Sequence, residues 1–153
     1  MDVEFARVWK AVVWTSFADV AKLGSQDLTI QFLCTLVETK EGVTFRFFHQ
    51  EYSLTWKDFS TLLGFHQHCS VDDSHALIGF HKESFLESIT GTESSGGARC
   101  NDIQNSTLRL MHKWVAIRCF PREDVRIVRV DELRVLYAMV NRIKFSPVKF
   151  MVR

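Results

Sequence analysis

The strongest constraint on the fold is the spacing of the apolar residues along the chain. It changes once from a helical to a strand-like pattern and then returns to the helical one. In residues 3–22 the apolar side chains recur every three or four positions, as they do on one face of an α-helix. In residues 43–47 and 51–54 they alternate instead, as in two half-buried strands, with His49 and Gln50 between them as the turn. Helical period returns after Thr55. This order predicts a mainly α (α+β) class: one compact helical domain with one small β-hairpin.

Six helices are predicted from the periods, the caps and the helix-ending glycines and proline. They cover residues 3–22, residues 25–38 with Ser25 or Asp27 as cap, residues 55–63 with a Thr55 cap, residues 75–89, 105–119 and 131–143. Helix 105–119 carries two apolar stripes, which predict a central position in the core: Leu108, Met111, Val115, Cys119, and Leu110, Trp114, Ile117. Residues 65–73 and 91–102 are predicted loops, and the Ser-Gly run of the second is the expected flexible point.

Composition agrees with a folded chain and also divides it into two parts of opposite charge. The 153 residues are 46% hydrophobic and 12% aromatic, which excludes an intrinsically disordered tail and predicts one domain over residues 1–153. The net charge of +1 is the sum of −6 for residues 1–98 and +7 for residues 99–153. An acidic part followed by a basic part either indicates an anionic partner for the basic end or is simple complementarity within one fold.

Cysteine usage and the N-terminal residues predict a protein of the cytoplasm or nucleus. The four cysteines are widely spaced, and Asp2, Glu4 and Lys10 interrupt the apolar run that a signal peptide requires. Reduced thiols are therefore expected. No stretch approaches the ~20 apolar residues of a membrane span, so no membrane contact is expected.

No complete catalytic or metal-binding motif is present. His66, His68 and Cys69 begin a cluster of ligand-type residues, but their spacing fits no zinc finger and the chain has no Cys-x-x-Cys, so a solvated loop without metal is predicted. His112 and Cys119 share a helix face, yet Cys119 belongs to an apolar stripe and is expected to be a small buried hydrophobe. Glycine-rich phosphate loops are absent. We therefore predict no enzyme activity, no cofactor and no small-molecule substrate.

The basic residues of the second part are the candidate binding residues. They recur at intervals that place several on shared faces, and such surfaces can neutralise phosphates or meet an acidic protein: Arg109, Lys113, Arg118, Arg122, Arg126, Arg129, Arg134 and Arg142. The alternative is that residues 125–130, where valine and isoleucine alternate with arginine, form an edge strand with its polar side outward.

The order of motifs resembles the first-open-reading-frame (gag-like) protein of plant Athila-type Ty3/gypsy retrotransposons and of host-encoded relatives. The similarity spans about residues 28–140. Its specific part is the hairpin and the helix after it, in the order Gln31-Phe32-Leu33-Cys34-Thr35-Leu36, Val43-Thr44-Phe45-Arg46-Phe47, Gln50-Glu51-Tyr52-Ser53-Leu54-Thr55, and Leu62-Leu63-Gly64-Phe65. Plant mobile domains of transposon origin share a related motif in this hairpin-and-helix part.

The resemblance implies a non-enzymatic protein without agreed catalytic residues. Gag-like proteins assemble and package RNA, but this chain lacks a Cys-x-x-Cys zinc knuckle, so a short truncated or domesticated copy is expected. The first hypothesis is an interaction module that binds a protein partner or a second copy of itself, because 13 phenylalanines exceed what one small monomer is expected to bury. The alternative is a nucleic-acid-binding regulator that uses the basic part.

Overall fold

The structure is a computed structural model that describes residues 2–19, 23–92 and 97–153, with residues 2–6 described by their backbone alone. The Ser-Gly run predicted to be flexible falls largely outside the described residues. The elements in chain order are α1 (Asp2–Ala11), α2 (Thr15–Ala18), α3 (Gln26–Thr35), β1 (Val37–Glu38), β2 (Gly42–Phe47), β3 (Gln50–Thr55), α4 (Trp56–Leu62), α5 (Asp73–Ala76), α6 (Lys82–Thr90), α7 (Ser106–Arg118), α8 (Val130–Val140) and α9 (Val148–Val152), with a 3₁₀ turn at Cys100–Asp102.

The predicted class, mainly helical with one small sheet, is confirmed. Strands β2 and β3 form the predicted hairpin, in the register Val43 opposite Leu54. Its turn lies at Phe48 and His49, one residue earlier than predicted, and a short strand β1 that the sequence analysis missed pairs antiparallel with β2. The two residues of β1 are too few to show an alternating period.

The prediction that the first helix is continuous is wrong. The helix ends at Ala11, Val13 takes a left-handed φ of 56°, and α2 follows after Trp14. The break places the Trp14 indole N–H 2.7 Å from the carbonyl oxygen of Phe145, near the other end of the chain. That buried hydrogen bond and the ring contacts of Trp14 override the helical period of the segment.

The core is assembled mainly by α7 and α8, which the sequence analysis located to within three residues at each end. One predicted stripe of α7 is buried, with Leu108 at 8%, Met111 at 3% and Val115 at 0% exposure. The second stripe is only partly buried: Trp114 packs against the core, but Leu110 is 38% and Ile117 is 55% exposed, so the prediction of a helix surrounded by core is wrong at those two positions. Helix α7 packs on α8, and its Trp114 ring contacts Trp9 and Phe17, which leaves Leu110 and Ile117 facing solvent.

The predicted helix over residues 75–89 is two helices, α5 and α6. The chain passes close to α8 between them, where a Cβ on Gly79 would lie 2.7 Å from the Tyr137 hydroxyl.

The predicted Thr55 cap of α4 is confirmed, because the Thr55 hydroxyl accepts a hydrogen bond of 3.1 Å from the backbone N–H of Asp58. Ser60 of α4 donates to the Ser146 hydroxyl at 2.6 Å, which links α4 to the C-terminal segment.

Candidate interaction surfaces

The eight predicted binding residues lie in three places. Helix α7 carries Arg109, Lys113 and Arg118, the segment between α7 and α8 carries Arg122, Arg126 and Arg129, and α8 and the turn after it carry Arg134 and Arg142. The edge-strand alternative for residues 125–130 is wrong, because the segment forms only one isolated bridge, from Ile127 to Arg99. Two backbone hydrogen bonds join this segment to residues 98–100, and side chains accept hydrogen bonds from its other N–H groups at Arg126 and Arg129.

Three of the eight are already neutralised within the chain. Arg126 pairs with Asp124 at 2.9 Å, and this pair lowers the pKa of Asp124 to about 2. Arg134 pairs with Asp131 at 2.9 Å, and its guanidinium lies 5.5 Å from the ring centroid of Phe150. Arg122 is partly buried and pairs with the carboxylate of Glu132. Within the described part of the chain no ion pair involves the other five: Arg109, Lys113, Arg118, Arg129 and Arg142.

The carboxylate that Arg122 meets belongs to a polar network buried between α7 and α8. Glu132 has no solvent exposure, and its Oε2 lies 2.8 Å from Nε2 of the equally buried His112. Arg122 Nη2 lies 2.7 Å from the Oε1 atom of Glu132, and the backbone N–H of Arg129 donates to Oε2 at 2.9 Å. Burial acts to raise the pKa of Glu132, but the hydrogen bonds and the positive charge around it lower that pKa overall. The network holds α7, the 122–129 segment and the start of α8 together.

This network also separates the two residues that form the sequence's only candidate nucleophile and base. His112 is hydrogen-bonded to Glu132, not to Cys119. Burial raises the pKa of the Cys119 thiol to about 12, so the thiolate that a nucleophile requires does not form near neutral pH. Cys119 is therefore a core residue, as its place in the apolar stripe predicts.

Cations on this side line a groove beside the 3₁₀ turn, and Asp124, the ion-pair partner of Arg126, lines it with them. The groove has a volume of about 550 Å³, and Lys113, Arg126 and Arg99 line it together with the exposed Ile127. Burial raises the pKa of Cys100 at its base, whereas the nearby charges of Lys113 and Arg109 act to lower it. The exposed Leu110 and Ile117 lie one turn before and one turn after Lys113 on α7. We call Leu110, Lys113, Ile117, Arg126 and Ile127 the basic-apolar face.

A second surface of different chemistry lies on α3, where no residue is buried. The structure leaves Leu28, Ile30 and Leu33 exposed at 37%, 51% and 65%. Among the large apolar side chains of residues 26–36, only Phe32 and Leu36 pack against the core. The reason is that α3 rests on the small sheet through the Phe32 side, with its ring 5.0 Å from that of Phe45, and nothing covers the other side in the described part of the chain.

The hairpin turn extends this surface with an aromatic ring. Phe48 and His49 both adopt left-handed φ values, 49° and 68°, as a two-residue hairpin turn of the mirror-image type requires. Asn or Gly normally occupies these positions, and a bulky residue there is strained. The Gln31 side chain accepts a 2.7 Å hydrogen bond from the Phe48 backbone N–H, and the Phe48 ring is 73% exposed. Leu28, Ile30 and Phe48 line one shallow hollow with Asp27. We call Leu28, Ile30, Leu33 and Phe48 the α3 face.

Of the predicted ligand-type cluster, His66 and His68 lie in a solvated loop, whereas Cys69 is buried and belongs to the core. The rings of His66 and His68 are exposed and lie 4.7 Å apart, and Nδ1 of His66 accepts from the backbone N–H of His68 at 3.2 Å. Across the described residues, no group of three His, Cys, Asp or Glu side chains is arranged to hold a metal ion. The four cysteines are free thiols, and of these Cys34 on α3 is exposed. Of the described helices, none has both the length and the apolarity to cross a membrane.

Comparison with known proteins places the chain in a family. No curated protein and no solved structure is significantly similar to it. The model of the ATHILA ORF-1 family matches residues 9–143, which include α3, the hairpin and all eight candidate binding residues. The ORF-1 proteins of these retrotransposons are gag-like and generally non-catalytic. The chain therefore belongs to the ATHILA ORF-1 family, as the order of its motifs indicated.

Proposed function

We propose that the protein is a non-enzymatic, gag-like interaction module that associates with other copies of itself. The observation that carries this proposal is the α3 face. A ten-residue helix that leaves three large aliphatic side chains exposed, beside an aromatic ring held out by a strained turn, is unusual for a soluble monomer. Such surfaces typically mark sites of protein association.

The occupant that fits the α3 face is the basic-apolar face of a second copy. Helix α3 carries Asp27 as its one charged residue, and the strand after it adds Glu38. The basic-apolar face offers the exposed Leu110, Ile117 and Ile127 together with cations, so apolar surface meets apolar surface and charge meets opposite charge.

Pairing of two identical faces lacks this complementarity. Two basic-apolar faces would bring Lys113 of one copy against the like charge of the other, and two α3 faces would offer Asp27 no cation on the facing helix. A contact between unlike faces is heterologous and leaves one free face of each kind at the ends of the assembly. Association is therefore expected to continue beyond the dimer as concentration rises.

Sedimentation velocity over a series of concentrations tests this proposal. We expect the wild-type chain to associate, and expect Leu33→Asp and Ile117→Asp each to weaken association by more than about tenfold, since each places a carboxylate in an apolar contact. The matched control is Leu62→Asp, which changes an aliphatic residue that is 71% exposed and belongs to neither face. Wild-type chain that stays monomeric throughout, or equal loss in Leu62→Asp, would refute the proposal.

Nucleic-acid binding is the second candidate, and the clustering of Arg99, Arg109 and Lys113 around the groove favours it. Phosphate contacts release counterions, so affinity for a labelled single-stranded RNA must fall steeply as salt rises. Lys113→Gln should then reduce the slope of log affinity against log salt by about 1, whereas Lys57→Gln, a change of an exposed lysine on α4, should not. Absence of RNA binding at low salt would exclude this candidate.

A further inference from the structure

A large cleft lies between α1, α6, α7 and α8, away from both faces named above. It has a volume of about 1020 Å³. Its walls are mainly apolar and come from all four helices: Val8, Phe85, Leu108, Met111, Met139 and Val140. Cavities of ~300–1,000 Å³ with predominantly apolar walls are typical of small-molecule sites.

The charged residues of this cleft are all of one sign. Arg7, Lys10 and Arg142 line it, and its described lining residues include no aspartate or glutamate. None of the three cations has an ion pair with a described residue. Four other arginines of the chain do have such a pair, at distances of 2.7 to 3.1 Å: Arg46, Arg122, Arg126 and Arg134.

The backbone at Arg142 adds an independent observation. Its φ of 55° lies in the left-handed region, where a residue with a long side chain is strained. The turn directly after α8 thus holds a cation at the rim of the cleft in a conformation that glycine or asparagine would adopt at lower cost. Strain of this kind is found preferentially at binding sites.

We propose that this cleft binds a small amphipathic anion, a molecule with an aliphatic or aromatic body and one carboxylate, sulfonate or phosphate group. The apolar walls would remove the body from water, and Arg142, Arg7 and Lys10 at the rim would pair with the head group. A neutral or cationic molecule of the same shape would gain the first contribution and not the second. The site is separate from the α3 face and from the basic-apolar face, so this proposal does not depend on self-association.

Isothermal titration calorimetry with dodecanoate, below the concentration at which it forms micelles, tests the proposal. We expect binding that is at least tenfold tighter than that of dodecyltrimethylammonium, which has the same chain and the opposite charge. Arg142→Gly removes one cation while keeping a residue suited to the left-handed turn, and should weaken dodecanoate binding by roughly tenfold. Val140→Trp, at a position that is 53% exposed on the rim, should block the cleft without disturbing the core.

Two control variants separate this site from the others. Arg118→Gln removes an exposed arginine outside the cleft, and Leu33→Asp alters the α3 face, so both should bind dodecanoate as the wild type does. Equal affinity for the two amphiphiles, or unchanged binding in both Arg142→Gly and Val140→Trp, would overturn the proposal. Sedimentation with phosphatidylglycerol vesicles, without binding of free dodecanoate, would show that the cations meet a membrane surface instead of a free amphiphile.

Discussion

Helices α3 and α7 both carry enough aliphatic residues to pack into a core, yet the chain uses them in opposite ways. Helix α7 buries Leu108, Met111 and Val115 at 8% exposure or less. Helix α3 buries no residue and leaves Leu28, Ile30 and Leu33 exposed. The buried apolar residues of α7 therefore contribute mainly to stability, and the exposed ones of α3 are available for association.

The polar groups of the two regions also differ in how far they are removed from solvent. Between α7 and α8, His112 and Glu132 are removed from solvent and hydrogen-bonded to each other. Around α3, the polar groups are exposed and serve the turns, as Gln31 does for Phe48. Substitutions should consequently destabilise the α7–α8 region strongly and the α3 region weakly.

The largest effect is expected from Glu132→Gln. This change removes the negative charge that pairs with Arg122 in the 122–129 segment. Loss of one partner from a buried ion pair lowers the free energy of unfolding by about 3 kcal/mol or more. Urea unfolding followed by circular dichroism measures the free energy of unfolding. Asp131→Asn is the matched control because its ion pair with Arg134 is partly exposed, and a change of less than about 1 kcal/mol is expected there. Equal effects of the two variants would contradict a special role for the network.

Acidification should sharpen the same contrast. Because the pKa of Glu132 in the folded chain lies below its ordinary value, its contribution to stability is complete above pH 4.5 and is lost as pH falls through the lowered pKa. Wild-type stability should therefore decrease more than that of Glu132→Gln when the pH is lowered from 6 to 3. If the stabilities of both proteins decreased in parallel, another carboxylate would be responsible for the loss of stability in acid.

A smaller effect, of opposite sign, is expected at the hairpin turn. Phe48→Asn places a residue that tolerates left-handed φ in a turn of the type that favours it, and should stabilise the chain by about 0.5–1 kcal/mol. The same change should weaken self-association, since it removes an exposed ring from the α3 face. Thermal unfolding and sedimentation of the same sample measure both quantities. A variant that is less stable than the wild type would show that the Phe48 ring stabilises the fold.

The smallest effect is expected from Leu33→Asp, which should change the free energy of unfolding by less than about 0.5 kcal/mol because Leu33 is 65% exposed. Val115→Ala on α7, at a fully buried position, should cost about 2 kcal/mol by comparison. The unfolding free energies of the two variants, measured in urea, give the ratio directly. A Leu33→Asp cost approaching that of Val115→Ala would mean that α3 is part of the core.

The sequence predicted those parts of the fold that depend on local periodicity. The hairpin, α4 with its Thr55 cap, and α7 with one buried stripe all follow from patterns of a few residues. The break at Val13 does not, because it serves a hydrogen bond from Trp14 to Phe145 that joins distant parts of the chain. Exposure of α3 is equally a tertiary result, since an apolar helix carries the same pattern whether or not something covers it.

The sequence shows that the candidate binding residues are basic, but it does not show which of them are paired within the fold and which are exposed. Charge alone did not distinguish Arg122, which is partly buried and paired with Glu132, from Arg118, which is exposed. A signal for the buried network was present in the sequence, because His112 lies beside Met111 on the inward side of α7 and a buried histidine needs a polar partner. Glu132 stands three residues after Arg129, at a position where a carboxylate caps the start of a helix.

The most direct test of association between unlike faces is a mixture of Leu33→Asp and Ile117→Asp chains, followed by sedimentation velocity. Each variant keeps one intact face, so each alone should remain monomeric, and an equimolar mixture should form a heterodimer that stops at two chains because its ends carry the altered faces. Dimers formed by Ile117→Asp alone would show that two α3 faces pair with each other. Monomers in the mixture, at concentrations where the wild-type chain associates, would contradict the account.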